Sequence, residues 1–181
     1  VRPFVLSLLI LVLASGAFAD DPKIQTLTAT ASNGQVTVRF SLANAFDDKE
    51  RVRSVQSGLA TSITYVVEIY RSHPNWFDDG IARARIDVVA TFNSVTREYL
   101  LNYRRDDRLV RSETFTDLGA LEKRMTNIEE PDLFAIGDRR PYKLKVRVKA
   151  DLGRGWLLYL VPWQSSTHWR SARVATLEPK P

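Results

Sequence analysis

Apolar and polar residues alternate one for one over much of this chain. Val36, Val38, Phe40 and Leu42 interleave with Thr37, Arg39 and Ser41, and Tyr142, Leu144, Val146, Val148 and Ala150 interleave with Lys143, Lys145, Arg147 and Lys149. Successive side chains of an extended strand point to opposite faces, so this period lays one face on a core and leaves the other in water. The chain has no cysteine. No disulfide, Cys-ligated zinc or iron–sulfur cluster can therefore staple these strands, and stability must come from their apolar faces.

The same period returns along the chain. Ile24 to Ala31 reads as a strand, and Ser32-Asn33-Gly34 carries the Asn-Gly pair that favours a tight hairpin into the next one. Ile63, Tyr65, Val67 and Ile69 share a face that ends before His73-Pro74, and Asp78-Asp79-Gly80 reads as a turn. Strands over Ala82 to Phe92, Arg97 to Arg104 and Leu109 to Phe115 then form a meander. The basic strand follows Pro141, Gly153 and Gly155 bracket a turn into a strand over Trp156 to Val161, and Trp169 to Thr176 closes the domain.

Two segments switch to helical spacing. Asp47 can cap a short helix with Glu50 three residues on, Val52 and Val55 on one face and Gly58 as the stop. Thr116 or Asp117 can cap a second, in which Leu118, Leu121, Met125 and Ile128 form a stripe that ends at Glu129-Glu130-Pro131. These readings predict a mainly β protein, an antiparallel β-sandwich or strongly curved sheet of about eight strands with one or two short helices.

The first nineteen residues read differently. Arg2, an apolar run from Phe4 to Leu13, and Ala17-Phe18-Ala19 form the tripartite pattern of a cleaved secretory signal peptide over 1–19, leaving a single β-rich domain over 20–181. Its apolar stretch is shorter than the roughly 20 residues that span a bilayer, so no transmembrane segment is expected after cleavage. Loss of Arg2 takes the formal charge from +5 to +4. That modest excess lacks the long like-charge block of a nucleic-acid arm, so no nucleic acid is expected as a partner.

Val55-Gln56-Ser57-Gly58-Leu59, the strand Ile63 to Arg71, Trp76-Phe77-Asp78, Arg97-Glu98-Tyr99, Phe115-Thr116-Asp117-Leu118 and Ser166-Thr167-His168-Trp169 occur in an order that resembles the exported bacterial family catalogued as domain of unknown function 4390. The resemblance spans the chain from residue 20 onward. It implies a secreted protein of the bacterial periplasm or cell envelope, and it brings no activity or catalytic residues with it.

Candidate chemistry is sparse. The sequence has no G-x-S-x-G elbow, H-E-x-x-H helix, Walker loop or Rossmann fingerprint, and no catalytic residue or cofactor is assigned. His73, Asp78 and Asp79 could ligate a metal, the alternative reading being a metal-binding protein or small hydrolase; an Asx-turn is the plainer use of Asp-Asp-Gly. His168 has no nucleophile placed to use it. Trp76, Trp156, Trp163 and Trp169 could stack on sugars, but in a cysteine-free β domain such rings more often anchor a core. The ladder Lys143, Lys145, Arg147 and Lys149, extended by Arg139 and Arg140, reads as the solvated face of an edge strand, where lysine blocks aggregation. It is also the first place to expect a partner, an envelope protein or an anionic surface. The expected function is a non-catalytic binding or assembly module of the cell envelope.

Overall fold

The computed structural model describes residues 20–73, 77–137, 139–157 and 161–176. The leader over 1–19 and Trp76 lie outside the described residues, as do the side chains of Trp156 and Trp163. Strands β1 (Lys23–Ser32) and β2 (Gln35–Ala43) form the expected hairpin. Asn33 and Gly34 between them have φ of 50° and 73°, the left-handed pair that matches strand twist in a two-residue turn. Helix α1 (Lys49–Gln56) is capped by Asp48, whose carboxylate accepts from the Glu50 amide at 2.9 Å. Asp48, not Asp47, is the extended residue immediately before the first turn, so only its side chain can reach that amide. Gly58 stops the helix at φ 84°.

Strands β3 (Thr61–Arg71), β4 (Asp79–Asn93), β5 (Glu98–Arg105) and β6 (Arg108–Phe115) make the meander. Asp79 and Gly80 belong to β4, paired with Arg71 and Tyr70, rather than to a turn. Helix α2 (Leu118–Thr126) is capped by Asp117, which accepts from the Ala120 amide at 2.7 Å. Its apolar stripe does not continue to Ile128. The chain passes directly into β7 (Asn127–Ala135), a strand the helical spacing concealed. Pairing with β2 outweighs local propensity here, and Pro131 is tolerated because β7 lies at the sheet edge.

A 3-10 turn over Pro141–Lys143 precedes β8 (Leu144–Leu157), which runs through both Gly153 and Gly155 instead of turning between them. β9 (Val161–Ser166) and β10 (Arg170–Thr176) follow. Both pair with the same side of β8, β9 along its second half and β10 along its first. Thr167 bridges the break: its amide donates to the Ala150 carbonyl at 2.8 Å, and its hydroxyl accepts from the Ala150 amide at 2.9 Å.

The strand order is β6-β5-β4-β3-β8-β10-β1-β2-β7, with β9 joined to β8. All described pairings are antiparallel except β1 with β10. The sheet is strongly curled into an open half-barrel, the curved-sheet form of the expected architecture. Its concave face carries the core: Ile63, Tyr65, Val67 and Ile69 of β3, Ile86 and Val88 of β4, Val146 and Val148 of β8, and Val36, Val38 and Phe40 of β2 are all buried. Each such side chain contributes on the order of 1.5–3 kcal/mol on leaving water. Helix α2 packs against β5 and β6 from one end of the sheet and β2 and β7 from the other, placing Leu121 and Met125 in the core. Among the described residues no helix is long and apolar enough to cross a membrane.

Candidate functional site

Because β8 pairs with β3 on one side and with β9 and β10 on the other, the basic strand is interior to the sheet and not an edge. Lysine cannot be guarding an exposed backbone there. The alternation turns Lys145, Arg147 and Lys149 to the convex face, opposite the buried Val146 and Val148.

Cross-strand register builds that face in rows. Arg83, Glu68, Arg147 and Ser171 stand side by side on β4, β3, β8 and β10; the next row holds Gly80, Tyr70, Lys145 and Arg173; another holds Arg85, Val66 and Lys149. Asp87, Thr64 and Asp151 close the field at one end. Six cations here (Arg83, Arg85, Lys145, Arg147, Lys149, Arg173) face three carboxylates (Glu68, Asp87, Asp151), an excess of three in a chain of formal charge +5.

Arg147 is the fixed centre. Its Nε and Nη2 both lie 2.7 Å from Glu68 Oε2, and its guanidinium sits 5.2 Å from the Tyr70 ring centroid and 4.8 Å from that of Trp169. Tyr70 is buried although it points outward, covered by these neighbours. Arg85 is spent on Asp87, whose hydrogen bonds and charge hold its guanidinium above the ordinary value; Thr64 also donates to Asp87. Lys149 rests 5.2 Å from the Trp169 ring, and Lys145 donates to Ser72 Oγ at 3.1 Å. Lys145 and Arg173 stand directly opposite one another across β8 and β10. Like charges so placed are destabilising.

The other basic residues expected in this patch lie before the strand. Arg139 turns back to donate to the Ile136 carbonyl at 3.3 Å, Arg140 precedes the 3-10 turn, and Lys143 is exposed at its end. Trp169 anchors no core; it is 40% exposed at the rim of the basic field. A cleft of about 390 Å³ beside it is lined by Asp20, Asp21, Lys23, His168 and Arg170.

His73 Nε2 lies 3.1 Å from Asp79 Oδ2, both side chains being solvent-accessible. The pair forms because Arg71 opposite Asp79 brings the two strand ends together. Asp78 precedes the strand and is exposed. Among the described residues no group of three or more His, Cys, Asp or Glu could hold a metal ion.

A second polar cluster, on the concave side, joins the two ends of the sheet. Tyr103 Oη on β5 donates to Glu130 Oε1 on β7 at 2.5 Å, and Arg105 Nη1 donates to Glu130 Oε2 at 3.3 Å. Glu130 is only 3% exposed. Burial, and then the hydrogen bond to this carboxylate and its charge, push the Tyr103 hydroxyl far above its ordinary range. Arg111 lies 4.0 Å from the Tyr103 ring centroid, and Arg124 of α2 grips both Glu113 oxygens at 3.1 Å. Tyr65 Oη donates to the Met125 carbonyl at 2.8 Å, fixing α2 from below. These contacts do structural work: they lock α2 and β7 over the open side.

The sequence reading missed Glu68, Tyr70, Arg83, Arg85 and Arg173. Glu68 and Tyr70 lie in the phase opposite Ile63, Tyr65, Val67 and Ile69, so their side of the sheet is readable from the sequence. The adjacency of the five is not, because it depends on strand order.

The fold and this face define a half-barrel with a filled concave core and a basic, aromatic-studded convex surface. Over residues 19–157 the sequence matches the family described as Domain of unknown function (DUF4390), and the chain belongs to that family. Comparison with curated proteins and with solved structures gives no match.

Proposed function

We propose that this protein is an exported, non-catalytic binding or assembly module of the bacterial cell envelope, and that the convex face of β4, β3, β8 and β10 engages an anionic partner. The observation that carries this reading is the Lys145–Arg173 pair. Two cations set opposite each other cost stability, a local conflict of the kind that marks functional surfaces. Arg147, pinned by Glu68, Tyr70 and Trp169, supports the surface on which Lys145, Lys149 and Arg173 are displayed. The signal-like leader supports export.

The test is salt elution from immobilised poly-glutamate and from phosphocellulose. A Lys145→Glu, Lys149→Glu, Arg173→Glu variant is compared with a charge-matched variant reversed at Arg53, Arg97 and Arg108, away from this face. Earlier elution of the first variant alone is expected. Equal elution of the two would show that net charge, not this face, governs binding.

A further inference from the structure

We propose that β6 is the docking edge for a second copy of this chain, the two β6 strands pairing antiparallel about a twofold axis at Ser112 and continuing the sheet from one half-barrel into the next. β6 ends the strand order and, among the described residues, pairs with β5 alone. An edge strand offers a row of unmet backbone N–H and C=O groups. The opposite edge is guarded: β7 carries Pro131, which cannot donate, and Asp132 at φ 50°, which breaks the extended line. β6 has neither device. Its one irregularity, opposite Tyr103 and Arg104, falls toward the hairpin end and leaves Arg111 to Phe115 in regular register with β5. At that end Leu109 and Val110 stand 59% and 49% exposed.

The charges of β6 select both the occupant and the register. Arg111 and Glu113 share one phase of the strand, opposite Tyr103 and Leu101, and both side chains are partly exposed. Two copies joined into one sheet with their core faces on the same side require a twofold axis perpendicular to the sheet, which sets one residue against itself. Centred on Arg111 or on Glu113, that axis opposes two identical charges. Centred on Ser112, it opposes Arg111 to Glu113 twice and lays the Thr114–Phe115 end of one copy along the exposed Leu109 and Val110 of the other. Opposite charges so placed stabilise a sheet and like charges destabilise it. Within one chain Arg111 Nε already lies 3.1 Å from Glu113 Oε1, so the pairing closes a ring of four alternating charges. An unrelated strand must match this order by its own sequence; a second copy matches it by symmetry. One strand per copy is a small contact, so a dimer that exchanges with monomer is expected.

The test exploits the absence of cysteine. Directly opposed residues of an antiparallel pair have Cα atoms about 4.5–5.5 Å apart, within reach of a disulfide, so Ser112→Cys should cross-link two copies on mild oxidation. Thr114→Cys, also exposed, lies in this register four residues, about 13 Å along the strand, from its own counterpart, and should cross-link at least tenfold more slowly. Analytical ultracentrifugation should find a concentration-dependent dimer that Arg111→Glu weakens about tenfold or more. Mixing Arg111→Glu with Glu113→Arg should recover it, since every opposed pair is again of opposite sign. Circular dichroism checks that each variant is folded. Cross-linking at position 114 as fast as at 112 would overturn the register. A monomer at all concentrations without a Ser112→Cys cross-link, or a dimer that Arg111→Glu leaves unchanged, would overturn the proposal.

Discussion

Arg147 reaches from β8 to Glu68 on β3 so that two of its nitrogens lie 2.7 Å from one carboxylate oxygen. The Arg147 guanidinium so held sits 5.2 Å from the Tyr70 ring, which is buried although it lies on the outward face. The pair thus belongs to the scaffold, while its neighbours carry the displayed charge. Arg147→Ala should cost about 1–2 kcal/mol, the sum of a partly exposed ion pair and two aromatic contacts. Urea denaturation measures this, and a double-mutant cycle with Glu68→Gln should return a coupling of several tenths of a kcal/mol or more. Strict additivity would remove the pair from the scaffold.

Arg173→Glu should stabilise the fold. It converts the opposed Lys145–Arg173 cations into an attractive cross-strand pair, a gain of roughly 0.2–1 kcal/mol. The gain should shrink in high salt, where wild type and variant converge in Tm. A destabilised variant at low salt would mean that the two cations do not repel as their register implies.

Glu130 is the keystone of the concave cluster. Glu130→Ala would strand the buried Tyr103 hydroxyl, while the Arg105 guanidinium, 39% exposed, turns to water; the loss should cost about 1.5–3 kcal/mol. Tyr103→Phe removes one charge-assisted bond and should cost about 1.5–3 kcal/mol. Amide hydrogen exchange should show the loss first in β7 and α2, which this contact holds across the open side. Protection lost uniformly over the sheet would argue against such a latch.

Alkaline pH should destabilise the protein through Tyr65 and Tyr103. Burial raises both hydroxyls far above their ordinary value near 10, so the folded chain keeps protons that the unfolded chain releases. Their contribution is fully present below about pH 10. It falls above that pH by up to about 1.4 kcal/mol per unit for each tyrosine. Ultraviolet titration should show Tyr65 and Tyr103 ionising only on unfolding, and their ionisation while the chain remains folded, tracked against Tyr65→Phe and Tyr103→Phe, would contradict the burial argument.

Thr167→Val should cost about 1–3 kcal/mol. The hydroxyl accepts the Ala150 amide where β9 gives way to β10, and valine fills the space while leaving that buried amide unpaired. Thr167→Ser should be nearly neutral by urea denaturation, separating the hydrogen bond from packing.

Most of the strands were legible because alternation is a local signal. Asn33-Gly34 declared its hairpin, both residues adopting positive φ where the turn demands it, and Asp106 and Asp107 do the same between β5 and β6. The signal failed where two periods overlap. Leu118, Leu121, Met125 and Ile128 satisfy helical spacing, yet Ile128 belongs to β7, because pairing of Phe40 with Ile128 and Val38 with Glu130 offers more than another helical turn. Gly153 and Gly155 carry a local turn signal, yet the long pairing of β8 with its neighbours carries the strand past both.

The candidate surface was half legible. In the sequence Lys143, Lys145, Arg147 and Lys149 read as one exposed row on an edge strand; Lys143 falls in the 3-10 turn, and the other three share a row at the interior of the sheet. Of the six cations on the face, the three on β8 came from alternation; Arg83, Arg85 and Arg173 joined them only through register.

By itself the sequence determined which residues of the clearly alternating strands face inward, where most turns fall and that no covalent staple exists, since these depend on neighbours two to four positions apart. Only the tertiary structure decided that β8 lies at the interior of the sheet, that Arg147 is pinned while Lys145 and Arg173 confront each other, and that Glu130 closes the open side. Those relationships join residues 25 to 79 positions apart along the chain. They are fixed by the order in which strands pair, which maximises burial over the whole sheet and leaves no local trace.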